Sequence, residues 1–288
     1  LKIGTVVRVM GEASSPETLR ACAQHAEAVG LDELWVADHI AIPPHDAAGS
    51  NGRYLDPLTA LSWLASATTR IGLGTSVLIL PYRPALPTAK VIATIQELSG
   101  GRLRLGVGVG WMKPEFRALG VPFGERGRRT DATLEALRRY FDAPDDCASE
   151  NGQPFLFRPR PPRPPIFVGG APPHALSRAL RFGDGWMPMG SDPQKLAAPI
   201  AELRRLAEAA GRQTPEVVSL GGLDTSDPQR AAAQLHALAE VGVTRFAAGS
   251  RYDDFDGFQR DVEALCAARE AAGRLPENTV PESQSRAL

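Results

Sequence analysis

Ile71-Gly-Leu-Gly-Thr-Ser-Val-Leu-Ile-Leu80, then residues 84–98, then Arg102-Leu-Arg-Leu-Gly-Val-Gly-Val109, hold the pattern that decides the fold. Residues 71–80 are a short apolar run with β-branched members and no helical period, which reads as a buried strand. Residues 84–98 open on Pro84 and stop at Gly100-Gly101, the punctuation of a helix. Residues 102–109 are strand-like again. Strand, helix, strand in this order is a βαβ unit, and its two strands lie parallel.

The alternation extends in both directions. Toward the start, 2–8 reads as a strand and 16–29 as a helix, with Ser15 as N-cap and Gly30 as stop. Strand 33–37 follows, then helix 58–69 behind Asp56-Pro57. Toward the end, 126–141 is a helix with Leu134, Leu137 and Phe141 on one face. Residues 142–165 are loop-like and carry the run Arg158-Pro-Arg-Pro-Pro-Arg-Pro-Pro165. A linker between domains is one reading. An insertion within one domain is preferred, because strand 166–168 resumes the alternation at once. Helix 173–182, strand 185–187, helix 195–210, strand 217–220, helix 228–241, strand 245–248 and helix 255–272 complete it.

The sum is roughly eight β-then-α units, so the expected fold is α/β, a (β/α)8 TIM barrel with an insertion after the fourth strand. A doubly wound open sheet is the alternative. One domain is expected over residues 1–275, with a polar, Pro-containing and disordered tail over 276–288. In either architecture the ligand sits at the carboxyl ends of the strands.

Composition narrows the function. A formal net charge of −1 gives no basic field to hold nucleic acid or an acidic membrane. Cys22, Cys147 and Cys266 are far apart and odd in number, which fits reduced thiols rather than a disulfide framework or a zinc site. There is no apolar run of about 18 residues and no signal-peptide pattern in residues 1–9. The chain is therefore expected in the cytoplasm, without membrane or nucleic-acid partners.

Three strand ends carry the chemistry. After the second strand come Asp38-His39 and a long loop with Pro43, Pro44, Gly49, Gly52 and Tyr54. An imidazole exchanges protons near neutral pH, so His39 is a candidate acid/base and Asp38 a candidate ligand contact. A simple turn cap is the competing reading. His45 and Asp46 nearby suggest a metal site only weakly, because no His-x-His pair is present, and no metal is expected. The fourth strand ends on Gly106-x-Gly108-x-Gly110-Trp111, where missing Cβ atoms admit either a ligand or close packing. Gly169-Gly170-Ala-Pro-Pro173 joins a strand to a helix, a place for a phosphate or merely for a tight turn. Arg126, Arg128 and Arg129 form either a solvated face or a seat for an acidic cofactor tail. Serine-hydrolase and P-loop motifs are absent.

In their order, several segments resemble the luciferase-like monooxygenase superfamily, and within it the F420-dependent oxidoreductase branch. They are Leu34-Trp-Val-Ala-Asp-His39, Asp56-Pro-Leu-Thr-Ala60, Thr69-Arg-Ile-Gly-Leu-Gly-Thr-Ser-Val77, Glu97-Leu-Ser-Gly-Gly-Arg102, Leu105-Gly-Val-Gly-Val-Gly-Trp111, Glu115-Phe-Arg-Ala-Leu-Gly120, Arg126-Gly-Arg-Arg-Thr-Asp131, Pro165-Ile-Phe-Val-Gly-Gly170 and Gly183-Asp-Gly-Trp186. The resemblance implies a bacterial luciferase-like barrel with a flavin or deazaflavin ring at its mouth. It implies His39 as the catalytic residue beside a small-molecule substrate, and Asp38 beside the cofactor. Ser76 and Val77 would form a bulge behind the ring, joined by a non-prolyl cis peptide. Gly108, Val109, Gly110, Gly169, Gly170 and Ala171 would hold the remainder of the cofactor. The implied reaction is hydride transfer between coenzyme F420 and a small organic substrate, with an FMN-dependent monooxygenase as the alternative, in a homodimer. One departure stands out: sugar-phosphate dehydrogenases of the F420 branch look to have a catalytic Glu where this chain has Trp111, so their substrate is doubtful here.

Overall fold

Helix α1 (Pro16–Ala28) begins where capping chemistry puts it. The Ser15 hydroxyl accepts the Thr18 N–H at 3.1 Å, and Pro16 takes the first turn. Asp56 does the same for α2 (Pro57–Ala67), accepting from Thr59 N–H at 2.9 Å. These local rules act in a computed structural model that describes residues 1–273.

Strands β1 to β4 are Lys2–Val6, Glu33–Val36, Gly72–Ile79 and Leu103–Gly108. Strands β5 and β6 are Cys147–Glu150 and Gln153–Leu156, and β7 to β10 are Ile166–Gly169, Gly185–Met187, Glu216–Gly221 and Arg245–Ala248. The other helices are α3 (Ala85–Leu98), α4 (Lys113–Ala118), α5 (Arg126–Phe141), α6 (His174–Phe182), α7 (Pro193–Ala209), α8 (Pro228–Val241) and α9 (Phe255–Ala272). All strands except β5 and β6 form one closed barrel in the order β1-β2-β3-β4-β7-β8-β9-β10, with β10 returning to β1. Every barrel pair is parallel, and closure sets Lys2 opposite Arg245 and Thr5 opposite Ala248. The open-sheet alternative is excluded.

One expectation needs correction, and one element is added. Residues 142–165 are not all loop: β5 and β6 pair as an antiparallel hairpin outside the barrel. Its two-residue turn, Asn151-Gly152, has φ of 50° and 77°, the left-handed pair that such hairpins require. The added element is α4, which the sequence reading left unassigned. The tail over 276–288 lies outside the described residues.

The barrel interior is filled by Trp35, Phe167, Met187, Val218 and Ala247. Truncating a fully buried aromatic such as Trp35 to Ala typically costs about 3–5 kcal/mol. Below this layer Arg245 pairs with Glu33 and Glu216, and Arg104 stands 3.7 Å from Glu33. Burial pushes the Glu33 carboxyl up, against the pull of those two arginines. The amino end of the barrel is thus plugged by ion pairs, and the carboxyl end faces the loops. There β3 shifts register between Thr75 and Leu78, and the Ser76–Val77 peptide is cis, as the resemblance implied.

Candidate active site

The expected site residues fall into two groups at the carboxyl end of the barrel. The first gathers around the turn after β2. His39 Nδ1 lies 2.8 Å from Glu115 Oε2, on α4. The same carboxylate oxygen accepts the Tyr82 hydroxyl at 3.0 Å. Its other oxygen accepts the Ile40 and Ala41 N–H groups at 2.7 and 2.9 Å. Glu115 is wholly buried, and burial alone would raise its carboxyl. The hydrogen bonds from His39, Ala41 and Ile40 outweigh that and hold it at about 2. It is ionised at neutral pH and can only accept, so Nδ1 of His39 carries the proton toward it. Nε2 is left as the ring nitrogen available for proton exchange.

Tyr54 and Trp111 wall the imidazole, with edge-on ring separations of 5.0 and 6.2 Å. Tyr54 arrives on the long loop after β2, which is tied to the segment after β1. Met10 bridges to Tyr54, and Leu55 N–H donates to Val9 at 2.8 Å. The loop is therefore a pinned wall of the site.

Asp38 is buried and fully engaged. Arg83 grips both its oxygens at 2.6 and 2.9 Å, and Ile79 N–H donates to it at 2.8 Å. Burial drives its carboxyl up, against the Arg83 pairing. Arg83 also holds Asp56 at 2.8 Å. This chain of charges fastens the end of β3, just past the bulge, to the turn that carries His39.

The second group lines a cavity of about 340 Å³ between the ends of β4 and β7. Val109, Gly169, Gly170 and Ala171 meet there with Arg126, His174 and Arg178. Gly170 has φ of 118°, and a Cβ there would meet only Ala175 Cβ, at 3.6 Å. Arg178 is held by Asp131 at 2.6 Å, and the Arg126 guanidinium lies 3.9 Å from the Phe123 ring centroid. Helix α6 points its uncapped first turn here. Two guanidiniums and a helix N-terminus make a seat for an anion.

Gly108 and Gly110 belong to the packing around these groups. A Cβ on Gly108 would sit 2.5 Å from Val77 Cγ2. Gly110 has φ of 78°, and its Cβ would press Ile79 and Phe116 at 2.8 and 2.9 Å. Val77 also lies against Gly169, so the bulge connects both groups. The Ser76 hydroxyl is buried and has no hydrogen-bond partner among the described residues. Sequence reading missed Glu115, Tyr82, Arg83, His174 and Arg178. Glu115 lies in a stretch that carried the resemblance, but nothing local marks it as the partner of a histidine 76 positions earlier.

No helix among the described residues is long and apolar enough to cross a membrane, and no group of three or more His, Cys, Asp or Glu there could hold a metal ion. The chain is 33% identical over 250 residues to an uncharacterized protein of Mycobacterium tuberculosis, covering 80% of this chain and 83% of that one. It is 30% identical over 270 residues to an F420-dependent glucose-6-phosphate dehydrogenase of Kineococcus radiotolerans, covering 89% and 78%. It is 31% identical over 230 residues to an FMNH(2)-dependent dimethylsulfone monooxygenase of Pseudomonas putida, covering 75% and 60%. The sequence model of the luciferase-like monooxygenases matches residues 3–287, and with the closed barrel and its bulged third strand it identifies this chain as a member of that family.

Proposed function

We propose that the protein is an oxidoreductase that transfers a hydride between coenzyme F420 and a small organic substrate, with His39 moving the accompanying proton. The observation that carries this reading is the His39–Glu115 pair. A buried, ionised carboxylate fixes one ring nitrogen and presents the other for proton exchange. Hydride transfer to or from a carbon bearing oxygen needs such a partner.

The residues present fit a cofactor of this kind. The cavity at Gly169, Gly170 and Ala171, with Arg126 and Arg178, suits a phosphate. The orphaned Ser76 hydroxyl in the bulge suits a polar ring edge. A bound deazaflavin supplies the hydride donor or acceptor. The chain's own work is to seat the anion, hold the bulge through Arg83 and Asp38, and keep His39 in one tautomer. Tyr54 and Trp111 limit water around the imidazole.

His39→Ala tests the reading. Turnover is expected to fall by about 100-fold or more while F420 affinity, read from cofactor fluorescence, stays nearly intact. Near-normal turnover in the saturated variant would overturn the catalytic role. A reduced-FMN monooxygenase is the second reading. It is favoured by the anion seat, which suits the FMN phosphate equally well, and by the resemblance to the dimethylsulfone enzyme. Parallel titrations with F420 and FMN separate the two.

A further inference from the structure

We infer that the substrate is an uncharged molecule with an aromatic or aliphatic body, held on an apolar rim that Trp111 dominates. This rests on the proposed reading of the cleft at His39 as the substrate site. Three large apolar side chains stand exposed just past barrel strands: Ile40 at 45%, Trp111 at 69% and Met189 at 77%. They follow β2, β4 and β8, the second, fourth and sixth strands of the ring, so they stand at successive quarter turns around the mouth. Exposed apolar surface gathered at a site entrance marks a place where something apolar is covered.

The charges around the site point the same way. The groups against His39 are one ionised carboxylate and two aromatic rings. An anion at Nε2 would feel Glu115 directly behind the ring, through a poorly screening interior. Most cations of the neighbouring loops already bond protein groups. Arg83 is held by Asp38 and Asp56. Arg8 reaches the Tyr252 and Gly49 carbonyls at 2.5 and 3.0 Å, and Asp253 at 3.3 Å. Arg53 bonds Ser14 at 2.9 Å. Lys113 lies over the Phe123 ring, and Arg251 lines a separate cavity that also contains Asp261. Arg126 and Arg178 belong to the cofactor seat. A phosphate or carboxylate on the substrate would lose hydration and face the Glu115 charge behind the ring, whereas a neutral ring or chain gains cover from Trp111 and Tyr54.

The test compares acetophenone with para-acetylbenzoate, which share a ketone and a ring and differ by one charge. Binding of each is measured by saturation-transfer NMR, with and without F420, on the wild-type protein and on Trp111→Ala and Trp111→Lys. Trp111 is mostly exposed, so melting curves of both variants should stay close to wild type. The neutral ketone is expected to bind about tenfold more tightly than the anion and to lose about tenfold on Trp111→Ala. Trp111→Lys should narrow or reverse the preference, and F420 affinity should be unchanged in both variants. Equal or tighter binding of the anion to wild type, full retention of ketone affinity in Trp111→Ala, or no binding of either ligand would overturn the inference. Failure of F420 itself to bind would count against the cofactor reading alone, because the comparison without F420 still decides the substrate class.

Discussion

Replacing Glu115 by Gln keeps the shape of the side chain and removes its charge. In the native protein four donors converge on the carboxylate: His39 Nδ1–H and the Tyr82 hydroxyl on one oxygen, and two backbone N–H groups on the other. An amide can keep its oxygen on the backbone pair only by turning its NH2 toward His39 and Tyr82. Tyr82 can rotate its proton away. His39 can comply only by moving its proton to Nε2, which leaves that nitrogen as a donor where the native ring offers an acceptor. Holding the Glu115 carboxyl at about 2 rather than 4.5 corresponds to about 3 kcal/mol of favourable interaction. Much of that should be lost, so the melting temperature should fall by roughly 5–10 °C. Turnover should fall about 100-fold or more, with F420 affinity retained. Long-range nitrogen–proton NMR correlations read the tautomer directly, and with five histidines in the chain the His39 ring can be assigned by mutation. A ring that stays protonated at Nδ1 in the variant would refute the reasoning, whatever the rate.

Other outcomes follow from the same geometry. Arg83→Ala leaves the buried Asp38 carboxylate without its cation and should cost about 3–5 kcal/mol in urea unfolding, whereas the double variant with Asp38→Ala should recover part of that loss. Gly108→Ala pushes a methyl to 2.5 Å from Val77, so about 1–3 kcal/mol of stability should go, together with cofactor affinity as the bulge shifts. The carboxyls of Glu27 and Glu115 are both held at about 2, below their ordinary 4.5. Depressed carboxyls contribute stability that is fully present above about pH 4.5 and is lost as the pH falls toward 2. An acid-unfolding curve of Glu115→Gln should accordingly be shallower than wild type across that window, and parallel curves would contradict the assignment.

Much of the scaffold was legible because local chemistry and tertiary structure agree. Asp56-Pro57 announces α2, Ser15-Pro16 announces α1, and the apolar run at 71–80 has no alternative to a buried strand. The hairpin carries a signal that reading 142–165 as loop passes over: Asn151-Gly152 is a strong two-residue turn signature. The site was half legible. His39 and the glycines stand at strand ends, where position alone suggests function. Their partners do not: Arg83 reaches Asp38 across 45 residues and Arg178 reaches Asp131 across 47, so only the fold brings each pair together. The glycine spacing at 106–110 is compatible with both ligand access and packing, and in the fold a Cβ on Gly108 or Gly110 would press Val77, Ile79 or Phe116.

The pairing of β1 with β10 has a consequence for how the molecule comes into being. Translation delivers β1 early and β10 late, so the seam cannot be made until nearly the whole described chain has been synthesised. Throughout that interval the growing sheet has two bare parallel edges, whose backbone donors and acceptors can pair with any similar strand nearby. The Arg8 contacts to Tyr252 and Asp253 must wait equally long, since they join segments about as distant as the seam itself. A ribosome halted before residue 245 would therefore hold a sheet unable to close on itself, open to its neighbours on a crowded polysome and to any chaperone that binds strand edges.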